Sequence, residues 1–244
     1  FGCGNSVYER TANGVIIYPR DKKGRNEESV RVQVVSENII RVTSVTGNTF
    51  PEVKSLMTAY KTDSIIDFSI ERGDDNITLQ TGTLNVSVST KTGEVAFADP
   101  EGKVILSEKN GGGRTFSPVV IGGNPYYTVR QQFEPVEEEA LYGLGSNQTS
   151  FMNMKGKDAD LFQYNTQAVV PFVLSTKNYG ILWDNNSRSK FGDIKDYREI
   201  SSLKLYGKDG TEGNITATYF SGRDGGKVLT TRGEKEISYQ FIPD

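Results

Sequence analysis

The stretch Ala140–Phe191 reads ALYGLGSNQTSFMNMKGKDADLFQYNTQAVVPFVLSTKNYGILWDNNSRSKF. It contains two apolar, strand-like runs, Val169–Leu174 and Tyr179–Asp184, which are joined by the polar corner Ser175–Asn178. A long segment with little apolar content, Asn147–Tyr164, precedes them. Binding chemistry concentrates on long loops that rigid strands hold in place. The sequence therefore predicts that the functional site lies on this loop and that the rest of the chain is its scaffold.

The chain before residue 140 shows the same strand-like patterning. In Val30–Val34 the valines alternate with polar residues, which is the pattern of a half-buried strand. A tight turn is predicted at Asp99–Gly102, since proline fixes φ at about −65° and glycine accepts a positive φ. Short strands at this spacing, without a convincing amphipathic helix, predict an all-β chain folded as a β-sandwich. The predicted strands before residue 140 are Val15–Tyr18, Val30–Val34, Ile39–Thr43, Ile65–Ile70, Ile77–Gln80, Leu84–Ser89, Glu94–Ala98, Lys103–Leu106 and Tyr126–Phe133.

Length and charge limit the class of protein. At 244 residues, the chain is long enough for one large all-β domain, or for one domain plus a fragment of another. Its net charge is −3 and its lysines and arginines are dispersed, which argues against a nucleic-acid surface. No run approaches the roughly 18 consecutive apolar residues that a membrane-spanning helix needs. The composition is that of a soluble globular protein.

The residue inventory excludes several kinds of chemistry. The chain contains no histidine, so it can form neither a Ser-His nor a Cys-His nucleophile pair, and the commonest metal ligand is missing. Cys3 is the only cysteine, which excludes an internal disulfide and a cysteine-based metal cluster. Gly143-x-Gly145 lacks the third glycine of a dinucleotide loop. We therefore expect no metal ion and no cofactor. With 31 aspartates and glutamates, abundance alone identifies no catalytic carboxylate.

The end of the polar loop is the candidate ligand site. Sugars are held by amide, hydroxyl and carboxylate groups combined with an aromatic face. Gln163, Tyr164, Asn165 and Thr166 offer amide, hydroxyl and aromatic groups within four residues, beside the carboxylates of Lys157–Asp160. The same side chains could instead only order the loop against the sandwich, and the residues alone leave both interpretations open.

Three other features admit a structural interpretation and a functional one. The acidic run Glu134–Glu139 is interpreted as solvated surface. Trp183, the only tryptophan, is interpreted as core or packing surface rather than as a sugar platform. Cys3, in Phe1-Gly2-Cys3-Gly4-Asn5, resembles the acylated cysteine of a mature bacterial lipoprotein, and the alternative is a cysteine in a flexible tail.

The composition changes near residue 207. The segment Gly207–Gly213 includes no apolar side chain, which is typical of a linker. Three more strands are predicted after it, at Ile215–Phe220, Lys227–Arg232 and Glu236–Phe241. The predicted organisation is a tail at 1–13, a β-sandwich at 14–206, a linker at 207–213 and an incomplete β module at 214–244.

Several ordered blocks of the sequence are typical of one family, and they are Leu141–Gly145, Tyr164–Thr166, Val170–Phe172 and Tyr179–Asn185, with Leu84–Val88 and Asp99–Leu106 before them. These blocks resemble the N-terminal domain of family 31 glycoside hydrolases, and the branch with the closest resemblance is that of bacterial α-xylosidases. The resemblance implies a galactose-mutarotase-like sandwich, and the segments before residue 140 follow the family's order of strand, hairpin and strand.

This resemblance implies a role beside an active site rather than within one. The family's sandwich braces a (β/α)8 barrel that lies C-terminal to it, and it contributes a loop to the pocket for xyloglucan oligosaccharides. Both aspartates of the retaining reaction then lie in the barrel, so no catalytic residue is expected in this chain. Tyr164-Asn165-Thr166 falls where the family's loop reaches over the barrel. The alternative is a free-standing envelope lipoprotein that binds glycans without cleaving them.

Residues 214–244 resemble the opening of a PA14 domain, a β-sandwich inserted in carbohydrate-active proteins. Three strands cannot complete such a sandwich, so we expect the chain to be part of a longer protein. The expected partners are an oligosaccharide substrate, the catalytic barrel and the PA14 module, and nucleic acid is not among them. We expect the protein in the bacterial cell envelope, in the periplasm or at the outer membrane, where only a lipid on Cys3 would contact the membrane.

Overall fold

The computed structural model describes residues 7–22, 27–52, 54–59, 66–146, 149–165, 167–192, 203–222 and 225–235. In these ranges the regular structure consists of strands and one short 3-10 helix, Arg20–Lys22, without any α-helix. None of the described helical structure is long and apolar enough to cross a membrane. The chain divides into two compact units, Phe1–Gly192 and Asp193–Asp244. The predicted all-β fold is confirmed.

Two antiparallel sheets, each with its strands in sequence order, make up the sandwich. The four strands of the first sheet are β1 (Tyr8–Thr11), β2 (Gly14–Ile17), β3 (Glu28–Ser36) and β4 (Ile39–Thr46). The five strands of the second sheet are β5 (Ser69–Arg72), β6 (Asn76–Gln80), β7 (Asn85–Ser89), β8 (Val95–Ala98) and β9 (Val104–Ser107). The predicted turn at Asp99–Gly102 connects β8 to β9, and Gly102 has a φ of +87°.

The two sheets share one core, which we call the first core. Alternate residues of the strands point into it, because successive side chains in a strand face opposite sides. All its members are at most 2% exposed, and they are Val15, Ile17, Val30, Val32, Val34, Ile77, Leu79, Val86, Val88 and Val95. Fully burying one such aliphatic side chain contributes about 1.5–3 kcal/mol. The first core is therefore the main source of stability in this unit.

A long hairpin follows the second sheet. It consists of β10 (Arg114–Ile121) and β11 (Asn124–Gln131), which pair residue for residue from Arg114–Gln131 to Ile121–Asn124. Among the described strands, neither of these two pairs with a third. The hairpin is therefore attached to the sandwich only at its base.

The stretch Ala140–Phe191 forms a separate group of sheets around a smaller core, which we call the second core. Its buried members are Leu144, Met154, Leu161 and Val173. One sheet contains β12 (Leu141–Ser146), β14 (Ala168–Ser175) and β15 (Gly180–Leu182), in the order β12-β14-β15. The other pairs β13 (Ala159–Leu161) with β16 (Ser189–Phe191).

Asp184 connects this group to the sandwich. Its carboxylate lies 3.0 Å from Arg41 Nη2 of β4 and accepts a hydrogen bond of 2.8 Å from Ser55 Oγ. Both contacts reach back across more than a hundred residues, so they fix the second core against the first. Trp183, the residue before Asp184, is half-buried.

Several predicted strands differ from the observed ones. The strand predicted at Ile65–Ile70 is wrong in position, since the observed strand is Ser69–Arg72. The loop predicted at Asn147–Tyr164 contains β13, whose three residues are too few to show a period. Strands β1, β10 and β16 were not predicted either. The strand predicted at Glu236–Phe241 lies outside the described residues.

The second unit contains an antiparallel hairpin of β17 (Ile215–Phe220) and β18 (Val228–Glu234), with a register shift at Tyr219/Phe220. The phenol of Tyr219 donates a 2.7 Å hydrogen bond to Glu234 across the pair. The segment before it, which was predicted to be a linker, forms backbone-bonded turns, with Gly207 N donating to Thr211 O at 2.8 Å.

Candidate functional site

A bulge in β12 explains the Leu-Tyr-Gly-Leu-Gly sequence that begins this region. Gly143, Leu144 and Gly145 have φ values of +126°, +65° and +90°, and the register with β14 shifts between the two glycines. A Cβ on Gly143 would lie 2.4 Å from the carbonyl oxygen of Phe172, and one on Gly145 would lie 2.0 Å from that of Ala168. Only glycine fits there. The bulge turns Leu144, which is 3% exposed, into the second core.

The pair β13–β16 positions the candidate site on the outside of the second core. Leu161 is buried at the end of β13, and it holds the following residues at the surface. Asp160, the residue before Leu161, points the other way and faces Lys190 in the register. Gly192, which follows β16, lets the backbone there lie close to Asp158, since a Cβ on residue 192 would be 2.3 Å from Asp158 Oδ1.

A cavity of about 360 Å³ lies against these strands. An ion pair forms one part of its wall, because Arg188 donates through Nε to Asp160 Oδ1 at 3.1 Å and through Nη2 to Oδ2. The same guanidinium lies over the Phe162 ring, 5.2 Å from its centroid. The rings of Phe162 and Tyr164 are 6.0 Å apart and tilted by 33°. The cavity is lined by Thr149, Asp158, Ala159, Asp160, Phe162, Tyr164, Gln167 and Arg188.

The ion pair fixes the charge states in the cavity. The hydrogen bond from Arg188 lowers the pKa of Asp160, and the same bond raises the pKa of Arg188. Asp160 is therefore an ionised hydrogen-bond acceptor at neutral pH and cannot serve as a general acid. Both side chains remain accessible, at 44% exposed for Asp160 and 59% for Arg188. The pair can therefore bind a ligand while it remains intact.

The predicted site residues fall into three groups. Tyr164 lines the cavity and is 55% exposed. Gln163 and Asn165 are exposed beside it, and Gln163 Oε1 accepts a 3.5 Å hydrogen bond from Val169 N, a contact that orders the loop. Thr166 lies outside the described residues, as does Cys3. The prediction that these side chains bind substrate stays a prediction.

Sequence reasoning did not single out Asp160, Phe162 or Arg188 as site residues. Asp160 and Phe162 belong to the loop that was predicted to bind a ligand. The predicted site residues, however, were the amide and hydroxyl side chains that follow them in the sequence. Arg188 is far away in sequence and reaches Asp160 only because β13 pairs with β16. The available signal was a pair of opposite charges, one within β13 and one just before β16, and strands of three residues show no clear period.

The cavity combines exposed aromatic rings with a few polar and charged side chains. Exposed aromatic faces beside a few fixed polar groups are typical of small-molecule pockets. A sugar ring can place its apolar face on Phe162 or Tyr164 while its hydroxyls donate to Asp160 and accept from Arg188. Among the residues that the structure describes, no cluster of three or more acidic, cysteine or histidine side chains could hold a metal ion.

The carboxylate with the most perturbed pKa lies elsewhere. Burial raises the pKa of Glu108 to about 7, against the attraction of Arg114. Arg114 Nη1 is 2.6 Å from Glu108 Oε2, and its Nε is 2.6 Å from Glu28 Oε1. All three side chains are 5% exposed, at the base of the β10–β11 hairpin. A pKa near neutrality is a property of general acids, but this group is sealed from any substrate and has a structural role.

Glu134, Glu137 and Glu138 are exposed, in agreement with the interpretation of the acidic run as solvated surface, whereas Glu139 departs from it. Its side chain is 5% exposed and accepts hydrogen bonds from Lys155 Nζ at 2.8 Å, from Ser175 Oγ at 2.6 Å and from the Tyr179 hydroxyl. Burial acts to raise the pKa of Glu139, but these bonds outweigh it and leave the pKa lowered. Burial and the neighbouring carboxylate raise the pKa of Tyr179. Glu139 thus ties the chain before β12 to the β14–β15 corner.

The sequence matches one protein-family model. Residues 29–191 match the model described as the glycosyl hydrolase 31 N-terminal galactose mutarotase-like domain. This range runs from β3 to β16 and includes the whole second core, the candidate site and every residue of the first core except Val15 and Ile17.

Two curated proteins are similar over shorter stretches. The chain is 40% identical over 90 residues to an uncharacterized family 31 glucosidase of Pseudescherichia vulneris, a match that covers 37% of this chain and 16% of that protein. It is 43% identical over 70 residues to an α-xylosidase of Saccharolobus solfataricus, covering 25% of this chain and 10% of that protein.

Two solved structures are similar over most of the chain. The α-xylosidase of Xanthomonas citri has 37% identity and a TM-score of 0.79, covering 96% of this chain and 25% of that one. An α-xylosidase from a soil metagenome, complexed with xylose, has a TM-score of 0.63 over 76% of this chain and 29% of its own, and at 23% identity it supports the fold alone. The chain thus spans less than a third of each of these proteins.

Proposed function

This chain belongs to the family of glycosyl hydrolase 31 N-terminal galactose mutarotase-like domains, and from that premise we propose that it is the non-catalytic N-terminal sandwich of a longer α-xylosidase. The proposed enzyme trims xyloglucan oligosaccharides with retention of configuration. The observation that carries the proposal is the 37% identity to the Xanthomonas citri α-xylosidase over 96% of the chain. The alternative of a free-standing glycan-binding lipoprotein finds no support among the similar proteins.

The chemistry of the proposed enzyme takes place outside this chain. A retaining glycosidase needs two carboxyl groups about 5–5.5 Å apart, one as nucleophile and one as acid and base. The family resemblance assigns both to a (β/α)8 barrel C-terminal to the sandwich, at the loop end where such barrels build their sites. Two carboxylates described above form ion pairs instead, Asp160 with Arg188 and Glu108 with Arg114. We assign no catalytic residue to the chain.

The proposed contribution of the sandwich is a wall of the sugar pocket. Tyr164 offers an aromatic face, and Gln163, Asn165 and Thr166 offer amide and hydroxyl groups beside it. The ion pair of Arg188 with Asp160 supports this role, because it presents a charged acceptor and several donors at the same cavity. Contacts of this kind position the substrate and exclude water, and they act on binding more than on the chemical step.

The remaining parts of the proposal concern the rest of the protein. Residues 214–244 are proposed to open a PA14-like module after a linker at 207–213, and the β17–β18 hairpin is compatible with this. Cys3 is proposed to carry a lipid that anchors the enzyme in the bacterial cell envelope. The partners are then the oligosaccharide substrate, the catalytic barrel and the remainder of the module.

An α-xyloside hydrolysis assay tests the proposal. The protein expressed from the complete gene should release the aglycone from an aryl α-xyloside faster than from the matching α-glucoside. The chain of residues 1–244 alone should give only the background rate. Turnover by the isolated chain would refute the assignment of catalysis to another domain. A gene that ends at codon 244 would refute the enzyme and leave a binding protein.

A further inference from the structure

The β10–β11 hairpin has one entirely apolar face. Residues directly opposite in an antiparallel pair lie on the same side of the ribbon. Beyond the Arg114–Gln131 pair at the base, the register places three pairs on this side, and none of the six residues carries a charge. They are Phe116, Pro118, Val120, Pro125, Tyr127 and Val129. We call this side the apolar face of the hairpin.

The other side of the ribbon has a different composition. Its four residues nearest the base are polar or charged, and they form the pairs Thr115–Arg130 and Ser117–Thr128. Its outer part, near the tip, consists of the pairs Val119–Tyr126 and Ile121–Asn124, in which Asn124 is the one amide side chain. The hairpin is therefore amphipathic along the half that is closest to the sandwich, as expected of a ribbon with one covered face.

Most of the apolar face is left uncovered by the residues that the structure describes. Val120 is 71% exposed, Tyr127 is 51% exposed and Val129 is 37% exposed. The rings of Phe116 and Tyr127 contact each other edge to face at 6.2 Å. With eight residues in each strand, the ribbon extends for about 25 Å. A two-stranded ribbon without a packed face is marginally stable in water, so a partner on this face would stabilise the hairpin.

The base of the hairpin is held rigidly. Arg114 is paired with Glu28 of β3 and with Glu108, and its Nη2 donates to the carbonyl oxygen of Gly93 at 2.5 Å. The backbone after β11 adds a 3.0 Å bond from Lys109 N to Gln132 O. The buried charges and the backbone bond fix the direction in which the ribbon leaves the sandwich. A ribbon fixed in this way is suited to reach a partner in a constant position.

We propose that the apolar face of the hairpin docks on the catalytic part of the same polypeptide, an inference that rests on the proposed function. The face has no ionisable side chain apart from the phenol of Tyr127, and interfaces of this kind belong to permanent partners rather than transient ones. The phenol of Tyr127 is its one hydrogen-bonding side chain, fewer than the several polar groups that line the candidate sugar site. The match covers 25% of the Xanthomonas citri α-xylosidase, so that enzyme is about four times as long as the matched part. A covalently attached partner of sufficient size is therefore expected.

Cysteine labelling measures whether this face is covered. The variants Val120→Cys, on the apolar face, and Thr128→Cys, on the polar side, form a matched pair of exposed positions in a Cys3→Ser background. In the chain of residues 1–244, both thiols should react with a maleimide at similar rates. In the complete protein, labelling of Val120→Cys should slow by about tenfold or more while Thr128→Cys stays unchanged. Peptide mass spectrometry identifies the labelled site.

The outcomes separate this inference from the proposed function. If the complete protein hydrolyses the α-xyloside but Val120→Cys labels as fast as Thr128→Cys, the docking is refuted and the enzyme assignment stands. If protection is already present in the isolated chain and depends on its concentration, with a dimer mass in light scattering, the occupant is a second copy and the inference is wrong. A complete protein without hydrolase activity would refute the proposed function in its own right.

Discussion

Two arginine–carboxylate groups of this protein have the same chemistry and opposite surroundings. Arg114 is 5% exposed and is paired with Glu28 and Glu108 at the junction of sandwich and hairpin. Arg188 is 59% exposed and is paired with Asp160 at the candidate site. Losing one partner of a buried pair leaves a charge without water, whereas water replaces the partner in an exposed pair. The first group thus serves the fold, and the second is free to serve a ligand.

The largest expected effect is a difference in the free energy of unfolding between variants of these two arginines. Arg114→Gln should lower the free energy of unfolding by about 3–5 kcal/mol, because two carboxylates remain buried without a cation. Arg188→Gln should leave it nearly unchanged, since water solvates both members of this pair. Urea unfolding of both variants measures the difference. Equal losses would show that burial does not distinguish the two groups.

The two cores can be compared with the same substitution in each. Leu79 is 0% exposed in the first core, and Leu161 is 8% exposed in the second, next to the site. Leu79→Ala should cost about 3–5 kcal/mol of unfolding free energy and Leu161→Ala about 2–3 kcal/mol, because the smaller core collapses more easily around the cavity. Urea unfolding measures both, and in the complete enzyme only Leu161→Ala should also raise KM. A KM effect from Leu79→Ala alone would contradict the division of roles.

The buried group should also make stability depend on pH. The folded-state pKa of Glu108 is about 7, above its ordinary value of 4.5, so the folded state binds the proton more tightly than the unfolded state. The contribution of this proton on Glu108 to the stability of the folded state is fully present below pH 4.5 and is lost as the pH rises towards 7. The slope reaches at most about 1.4 kcal/mol per pH unit.

Glu108→Gln provides the control, since it keeps the size and an oxygen acceptor but does not titrate. Urea unfolding at about pH 5 and about pH 8 should show that the wild type loses more free energy of unfolding than the variant over this interval. The difference between the two proteins removes the contributions of other titrating groups. Parallel pH profiles would contradict the raised pKa of Glu108.

The two cores also differ in how well the sequence predicts their strands. The first core follows from the alternation of valine and isoleucine, because strands of four to nine residues show their period clearly. The group around the second core was predicted less well, since β13 and β16 have three residues each. The ion pair Arg188–Asp160 depends on that pairing, so it could not be derived from spacing.

The sequence also did not indicate which polar side chains are buried. Glu139 belongs to an acidic run that looks solvated, yet Lys155, Ser175 and Tyr179 surround its carboxylate. Arg114 gives no sequence signal, because its two partners come from β3 and from the segment before the hairpin. Contacts between residues distant in sequence decide which charges are buried, and local composition does not contain that information.

We propose that the exposed group around Tyr164 and Arg188 contacts sugar, while the buried group around Arg114 only maintains the fold. The most direct measurement is the KM and kcat of the complete enzyme on an α-xyloside for Tyr164→Ala. We predict a KM raised about tenfold, or about 1.4 kcal/mol of lost binding, with kcat and the free energy of unfolding nearly unchanged. An unchanged KM in a variant that folds normally would contradict the claim.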